Sequence, residues 1–398
     1  MRNLLLTSTA ATLLAGAAFA AGHGNEVKIG VILGFTGPIE SLTPAMAGGA
    51  ELAMREVTES GMLLDGLTVT PVRADSTCID NAAATAAAER LITSDGVKGI
   101  MGPDCSGVTG AVLANVALPN GMVMISPSAT SGGLSGVEDN GLFFRTAPSD
   151  ARGGEVMAEI LLENGHSEVA LTYTNNDYGK GLADSFANAF TASGGTVTIN
   201  TSHEDGKADY SAEVGALASA GGDLLVVVGY VDQGGSGVVR AALDSGAFDL
   251  FHFPDGMIGE KLETNFGTEI EGSTGQVAGN DNAGSAIIAA MGEANGFDGT
   301  SPYSAESYDA AALIMLAMQA AGSTDPGVYK DMVMMVANAP GEKILPGELG
   351  KALEILKAGG NVDYVGGSAV ELIGPGESAG NYRQIEIKDG KIETTKFR

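Results

Sequence analysis

From Glu26 to Phe253 the chain alternates short apolar, β-branched runs with stretches whose small and apolar residues recur at helical spacing. EVKIGVIL (Glu26–Leu33), LTVTPVRAD, VKGIM and MVMIS read as strands, separated by helical stretches at Pro44–Thr58, Asn81–Ile92 and Val108–Val116. A second series runs EVALTY, a helix at Gly179–Thr191, TVTIN, a helix at Tyr210–Ala220, DLLVVVG, a helix at Gly235–Ser245 and a strand around Phe251. Near-continuous apolar strands are buried on both faces, and a helix between successive strands makes the connections crossovers. The pattern predicts an α/β fold of two doubly wound parallel-sheet lobes.

LFFRTAPSD (Leu142–Asp150) reads as one connection between lobes, with Asp150 capping the helix that runs through Leu162. GSTGQVAGNDN (Gly272–Asn282) reads as a second. Helices follow at Ser285–Asn295, Ser304–Ala321, Val328–Val336 and Leu349–Lys357, and Tyr382–Phe397 alternates as a β-hairpin around Asp389-Gly390. Lobe 1 is therefore expected over 26–147 plus 279–380, and lobe 2 over 148–278 plus 381–398, joined by three crossing segments. No internal repeat is visible in the sequence.

Met1-Arg2-Asn3, the apolar run Leu4–Phe19 and the A-x-A site Ala18-Phe19-Ala20 have the form of a secretory signal peptide. Residues 1–20 are set aside, and the mature chain is expected to be exported. The formal charge of −28 argues against nucleic acid and anionic lipid as partners. The acids are dispersed rather than in blocks, which suits solubility, as in a salty habitat. The two cysteines, Cys78 and Cys105, each follow a predicted strand. In an exported protein such a pair reads as a disulfide, with two buried free thiols as the alternative.

Gly376–Gly380 (GESAG) matches the G-x-S-x-G nucleophile elbow in form only. An elbow needs a helix after it and a histidine downstream; here β-type sequence follows and the last histidine is His252. GYVDQGGSG (Gly229–Gly237) follows a strand and opens a helix, yet lacks the lysine and glycine spacing of a phosphate loop. His23, His166, His203 and His252 have no metal-ligand spacing. No catalytic residue, cofactor or metal is expected.

What remains is a set of strand-end residues suited to binding. In Gly99–Thr130, two strands run into the turns CSGVTG and SPSAT. Ser106, Ser128 and Thr130 offer hydroxyls there, and backbone N–H groups near Ser106 and Ala129 offer donors for an anion. Tyr178 follows EVALTY, Tyr230 follows DLLVVVG, and Asp255 lies just beyond the strand around Phe251. Anion donors on one lobe face an acid and two phenols on the other, a division that matches the two ends of an α-amino acid.

With these motifs in view, the chain resembles the periplasmic solute-binding proteins of the leucine/isoleucine/valine-binding type, receptors of ABC importers. The resemblance runs from KIGVILGFTGPI (Lys28–Ile39) through DSTCID, MGPDCS, ISPSAT, NDYGKGL, VGYVDQGG and FPDGMIG to YDAAALIMLAM (Tyr308–Met318). It implies a Cys78–Cys105 disulfide, a ligand-carboxylate clamp at Ser106, Ser128, Ala129 and Thr130, and an ammonium site at Tyr178, Tyr230 and Asp255. The leucine-binding members carry Glu where this chain has Asp255. They also place a Trp over the ligand side chain within the segment that reads GPIESL here; this chain has no Trp, and Leu42 or Ser41 takes that place. Leu42 and Tyr303 are candidates for the side-chain wall. The resemblance further implies a monomer in the periplasm, cleaved near Ala20, that hands an amino acid or related compound to ABC permease subunits. A sensor that reports ligand to a signalling partner is the alternative; a hydrolase rests on GESAG alone.

Overall fold

The computed structural model describes residues 25–398, so the expected signal peptide lies outside the described residues. The first sheet is built from β1 (Glu26–Leu33), β2 (Thr68–Asp75), β3 (Ile100–Met101), β4 (Met124–Ser126) and β5 (Phe143–Pro148). The second is built from β6 (Glu168–Thr174), β7 (Thr196–His203), β8 (Leu224–Val228), β9 (Phe251–Phe253) and β10 (Thr274–Ala278). Beyond these come β11 (Glu342–Ile344) and β12 (Val362–Tyr364), which form a small parallel pair that the sequence pattern did not suggest. β13 (Leu372–Ile373) and β14 (Glu377–Ser378) extend the first sheet, while β15 (Tyr382–Lys388) and β16 (Lys391–Phe397) extend the second.

The strand orders are β13-β14-β5-β4-β3-β1-β2 and β16-β15-β10-β9-β8-β6-β7. Each five-strand parallel core thus has the doubly wound order 2-1-3-4-5, with its switch point between the first and third strands. The two lobes repeat one topology although their sequences show no repeat. The order follows from composition: β8 is buried along its whole length, as a central parallel strand must be, whereas the outer β7 mixes exposed and half-buried residues.

The chain passes between the lobes three times, at Pro148–Asp150, after Ala278 and at Ala379–Tyr382. Two predicted connections prove to contain strands. Phe143–Pro148 of LFFRTAPSD is the fully buried β5, and Thr274–Ala278 of GSTGQVAGNDN is the buried β10. The polar and small residues that suggested loops are accommodated by specific partners, such as Arg145 on Glu377 and Thr274 on His252. The cap also differs from expectation. Ser149 accepts from Ala151 N, so Asp150 is the first helical residue of Asp150–Glu163 and not its cap.

Helices Ser304–Ala321 and Leu349–Lys357 fall at their predicted bounds, as does the closing hairpin. Asp389 (φ 50°) and Gly390 (φ 72°) give that hairpin the left-handed pair that a tight two-residue turn requires. Val328–Val336 is broken into short turns at Pro326–Tyr329, Lys330–Met332 and Val333–Ala337. The nearly all-buried helix Ser304–Ala321 packs on Thr43–Ser60, close enough at Gly49 that a Cβ would lie 2.3 Å from Ser304 O.

Near the crossings, Glu306 is buried and its carboxyl is pushed up to about 8 by burial and by Asp309, against the opposing pull of Arg383. The folded state then holds this proton between about 4.5 and 8 while the unfolded chain releases it. Glu306 therefore contributes stability fully below about pH 4.5, and that contribution is lost as pH rises toward 8. His203 and His252, held neutral by burial down to about 4, act oppositely: their contribution is full above about pH 6.5 and lost as pH falls. Glu306→Gln is expected to raise stability at pH 8 by on the order of 4 kcal/mol and to leave it unchanged near pH 4.5. Melting curves of both proteins across that range check it; parallel profiles would contradict the assignment.

Candidate functional site

The loops at the carboxyl ends of β1, β3, β4, β6, β8 and β9 converge between the lobes, where ligands bind in open α/β sheets. They enclose a narrow cavity of about 30 Å³. Ile39, Leu42, Met46, Asp104, Cys105, Ser106 and Ser128 line it from the first lobe, and Tyr178, Tyr230, Asp255 and Gly256 from the second. Tyr303, from the segment after the second crossing, completes the wall. The lobes are bonded across this cleft: Asp232 Oδ2 accepts from Ser41 N (2.8 Å), and Asp232 N donates to Pro38 O (3.1 Å).

Cys78 and Cys105 form a disulfide, and no cysteine of the chain is free. It ties the loop after β2 to the start of helix Ser106–Val112, closing a 27-residue separation that contributes ~3–4 kcal/mol in the chain-entropy account. Asp104 beside it is buried and accepts from Gly34 N (2.6 Å), Ser76 Oγ (3.0 Å) and Cys105 N (3.0 Å). Burial pushes its carboxyl up against these bonds. With those donors engaged, Asp104 organises the loops.

The expected anion donors differ in what they have free. Ser106 Oγ accepts from Ser131 N (3.0 Å), which leaves its own proton available. Thr130 Oγ1 is buried without a partner. Ser128 Oγ, in contrast, already donates to Asp104 O (3.0 Å), and Ala129 N to Ser126 Oγ (2.9 Å). Ser126 makes a hydroxyl-centred turn that consumes the Ala129 N–H, so that group is not the free donor expected of it. The Ser106 hydroxyl is the donor without another acceptor, while the Thr130 hydroxyl lies against the Asp150 carboxyl.

Arg145, missed in the sequence, holds this turn from beneath. Its guanidinium is buried and donates to Ala129 O (2.9 Å), Ser131 O (2.8 Å), Ser135 Oγ (2.7 Å) and Glu377 Oε2 (2.5 Å). Glu377 belongs to GESAG, which explains that segment. Ser378 lies buried inside β14, with a strand and not a helix following.

On the second lobe Asp255 is buried, accepting from Tyr178 Oη at Oδ1 (2.7 Å) and from Tyr303 Oη at Oδ2. Burial pushes its carboxyl up, and the two phenol bonds oppose that. The three cavity tyrosines are held protonated, raised first by burial. Tyr178 and Tyr230 stack at 5.2 Å between ring centres. Gly256 permits this closeness, since a Cβ there would meet Gly229 O at 2.6 Å and Tyr178 Oη at 3.0 Å. Tyr303, expected only as a side-chain wall, also reaches Asp255. It does so from a left-handed backbone (φ 62°) that costs ~1–2 kcal/mol for a non-glycine residue. Leu42 lines the cavity, beside Ile39 and Met46, which sequence reading did not single out.

A second, very small chamber of about 10 Å³ shares Asp255 and Tyr303 with the first and adds Thr130, Asp150, Gln276 and Tyr382. Asp150 Oδ2 is buried in it without a hydrogen-bond partner. Burial pushes the Asp150 carboxyl well up, the Asp255 charge adds to this, and the Thr130 hydroxyl and Arg145 pull the other way. Asp150 was legible as a helix-start residue, but nothing in TAPSD indicated which of Ser149 and Asp150 would cap.

Among the described residues no helix is long and apolar enough to cross a membrane. A family model for periplasmic binding proteins matches residues 26–333. Leu/Ile/Val-binding protein homolog 3 of Brucella melitensis is 31% identical over 329 residues, spanning 81% of this chain and 86% of that protein. The chemotactic signal transduction system substrate-binding protein BasB of Halobacterium salinarum is 28% identical, spanning 93% and 89%. The crystal structure of the leucine-binding protein LivK from Thermotoga maritima superimposes with a TM-score of 0.78 at 22% identity, spanning 93% of this chain and 98% of that one. These likenesses and the two-lobed fold agree: the chain belongs to the periplasmic binding protein family, in its leucine/isoleucine/valine-binding branch.

Proposed function

We propose that the protein is an exported solute receptor that captures an amino acid, or a closely related compound, between its lobes and delivers it to the membrane subunits of an ABC importer. The observation that carries this reading is Asp255, a buried carboxylate held by two phenols and sharing one cavity with the Ser106 hydroxyl, while Thr130 lies beside it in the adjoining chamber. The ligand carboxylate takes charge-assisted bonds from the hydroxyls of Ser106 and Thr130, and its ammonium pairs with Asp255 between Tyr178 and Tyr230. Ser128 and Ala129 then shape the clamp without donating, while Ile39, Leu42 and Met46 meet the aliphatic part.

Such a ligand drives closure because it contacts both lobes; equal affinity for the open and closed forms would shift nothing. The lobes are taken as 26–147 plus 279–380 and 148–278 plus 381–398, hinged at the three crossings. The receptor acts as a monomer in the periplasm after cleavage near Ala20, and it needs no cofactor. A sensory role is the second reading, favoured by the similarity to a chemotactic substrate-binding protein. A thermal-shift screen over amino acids and related amines tests the ligand class. A ligand at about 100 times its Kd stabilises by ~2.7 kcal/mol, whereas a screen without any shift would refute the reading. Loss of uptake on deletion separates transport from sensing.

A further inference from the structure

A separate cavity of about 390 Å³ lies against the second and third crossings, where Ala278 of β10 pairs with Tyr382 of β15. β15 and β16 of the second sheet line one part of it, and helices Ala283–Ala294 and Ser304–Ala321 another. Arg383, on β15, is the one cationic side chain in the lining. Its stem packs on Gly279, where a Cβ would lie 3.2 Å from Arg383 Cδ, so the half-buried guanidinium is held between two crossings. Nη2 donates to Thr300 O (3.0 Å), while Nε and Nη1 have no partner among the described residues. Glu306 is not its counter-ion at neutral pH, because burial keeps that carboxyl protonated up to about 8. Asp281, the other acid in the lining, is exposed to water.

A guanidinium with unused N–H groups matches the planar fork of a carboxylate. Beside it the lining is apolar, with Ala286, Ala289, Pro302 and the ring of Phe397, which is 40% exposed. The volume lies within the ~300–1,000 Å³ typical of small-molecule sites, which combine an apolar wall with a few placed polar groups. We propose that this cavity is a second binding site, distinct from the cleft, for a small monocarboxylic acid with an apolar body. The carboxylate pairs with Arg383, and the body covers Phe397 and the small residues of helix Ala283–Ala294. Such an occupant bridges strands of the second sheet to helices that follow the second crossing. Tyr303 is the wall that the site shares with the ligand cavity. The site uses none of Ser106, Thr130 and Asp255, so it stands apart from the amino-acid reading.

The test is isothermal titration of the intact mature protein at pH 7 with benzoate, its uncharged isostere benzamide, and benzylamine. Benzoate is expected to bind, and benzamide at least tenfold more weakly. Arg383→Gln should weaken benzoate at least tenfold and Phe397→Ser at least threefold, while Ser106→Ala should leave it within about twofold. No heat at millimolar benzoate, benzamide binding as tightly as benzoate, or an Arg383→Gln variant with unchanged affinity overturns the site. So does benzylamine binding more tightly than benzoate, which would mean that Asp281 and Glu306 govern the cavity. Benzoate binding lost in Ser106→Ala would place the acid in the cleft and equally overturn it. Should Arg383→Gln not fold, the wild-type ratio of benzoate to benzamide and the Phe397→Ser effect decide.

Discussion

Replacing Asp255 with alanine is expected to weaken amino-acid binding by ~2–5 kcal/mol, between roughly 30-fold and several thousand-fold. The reason lies in what remains after truncation. The ligand ammonium would stay buried beside Tyr178 and Tyr303, whose hydroxyls now donate to Asp255 and would lose their acceptor. Much of the loss is thus the penalty of an unpaired charge, expressed in a faster off-rate. The unliganded protein should respond differently. Its Asp255 is buried near Asp150 with no cation among the lining residues, so relief of that buried charge offsets the two lost phenol bonds and the melting temperature changes little. Lost affinity with retained stability is the signature. Unchanged affinity by titration would remove Asp255 from the site.

The second large effect falls on stability. Arg145→Met is expected to cost ~3–5 kcal/mol, the scale for breaking a buried ion pair by removing one partner. The guanidinium is 1% exposed and Glu377 lies on β14, which pairs with β5. Its removal leaves the Glu377 carboxylate, the carbonyls of Ala129 and Ser131 and the Ser135 hydroxyl without their donor. Because Ala129 and Ser131 flank Thr130, the variant should also bind ligand more weakly than its stability loss alone explains. Denaturant unfolding measures the first effect. A loss below about 1 kcal/mol would mean that the guanidinium does not hold this turn.

The two residues differ in how far the sequence revealed them. Asp255 was legible because a lone acid after a strand, in FPDGMIG, has few structural duties. Ser106 and Thr130 stood out as hydroxyls at parallel-strand ends, and the proposed site uses both. Arg145 was not, because its segment FFRTAP reads as a connection until the partner Glu377, far along the chain, supplies its counter-charge. Asp150 was misread for a related reason: Ser149 and Asp150 are both good caps, and only tertiary packing determines which one turns inward. Ala129 failed as a donor because the Ser126 hydroxyl, local and well placed, takes its N–H. The repeated topology of the lobes was recoverable from the strand–helix alternation, which depends on burial, while the residues that join them depend on contacts the alternation does not encode.

The most direct measurement of the central claim, that the cleft grips both ends of an amino acid, is a titration series on one carbon skeleton. The amino acid that gives the largest melting shift is compared with its decarboxylated amine and its deaminated acid. The two-ended clamp predicts that removing either group costs at least a hundredfold in affinity, because the Ser106 and Thr130 hydroxyls or Asp255 then go unmatched. A deaminated acid that binds as tightly as the amino acid would contradict it.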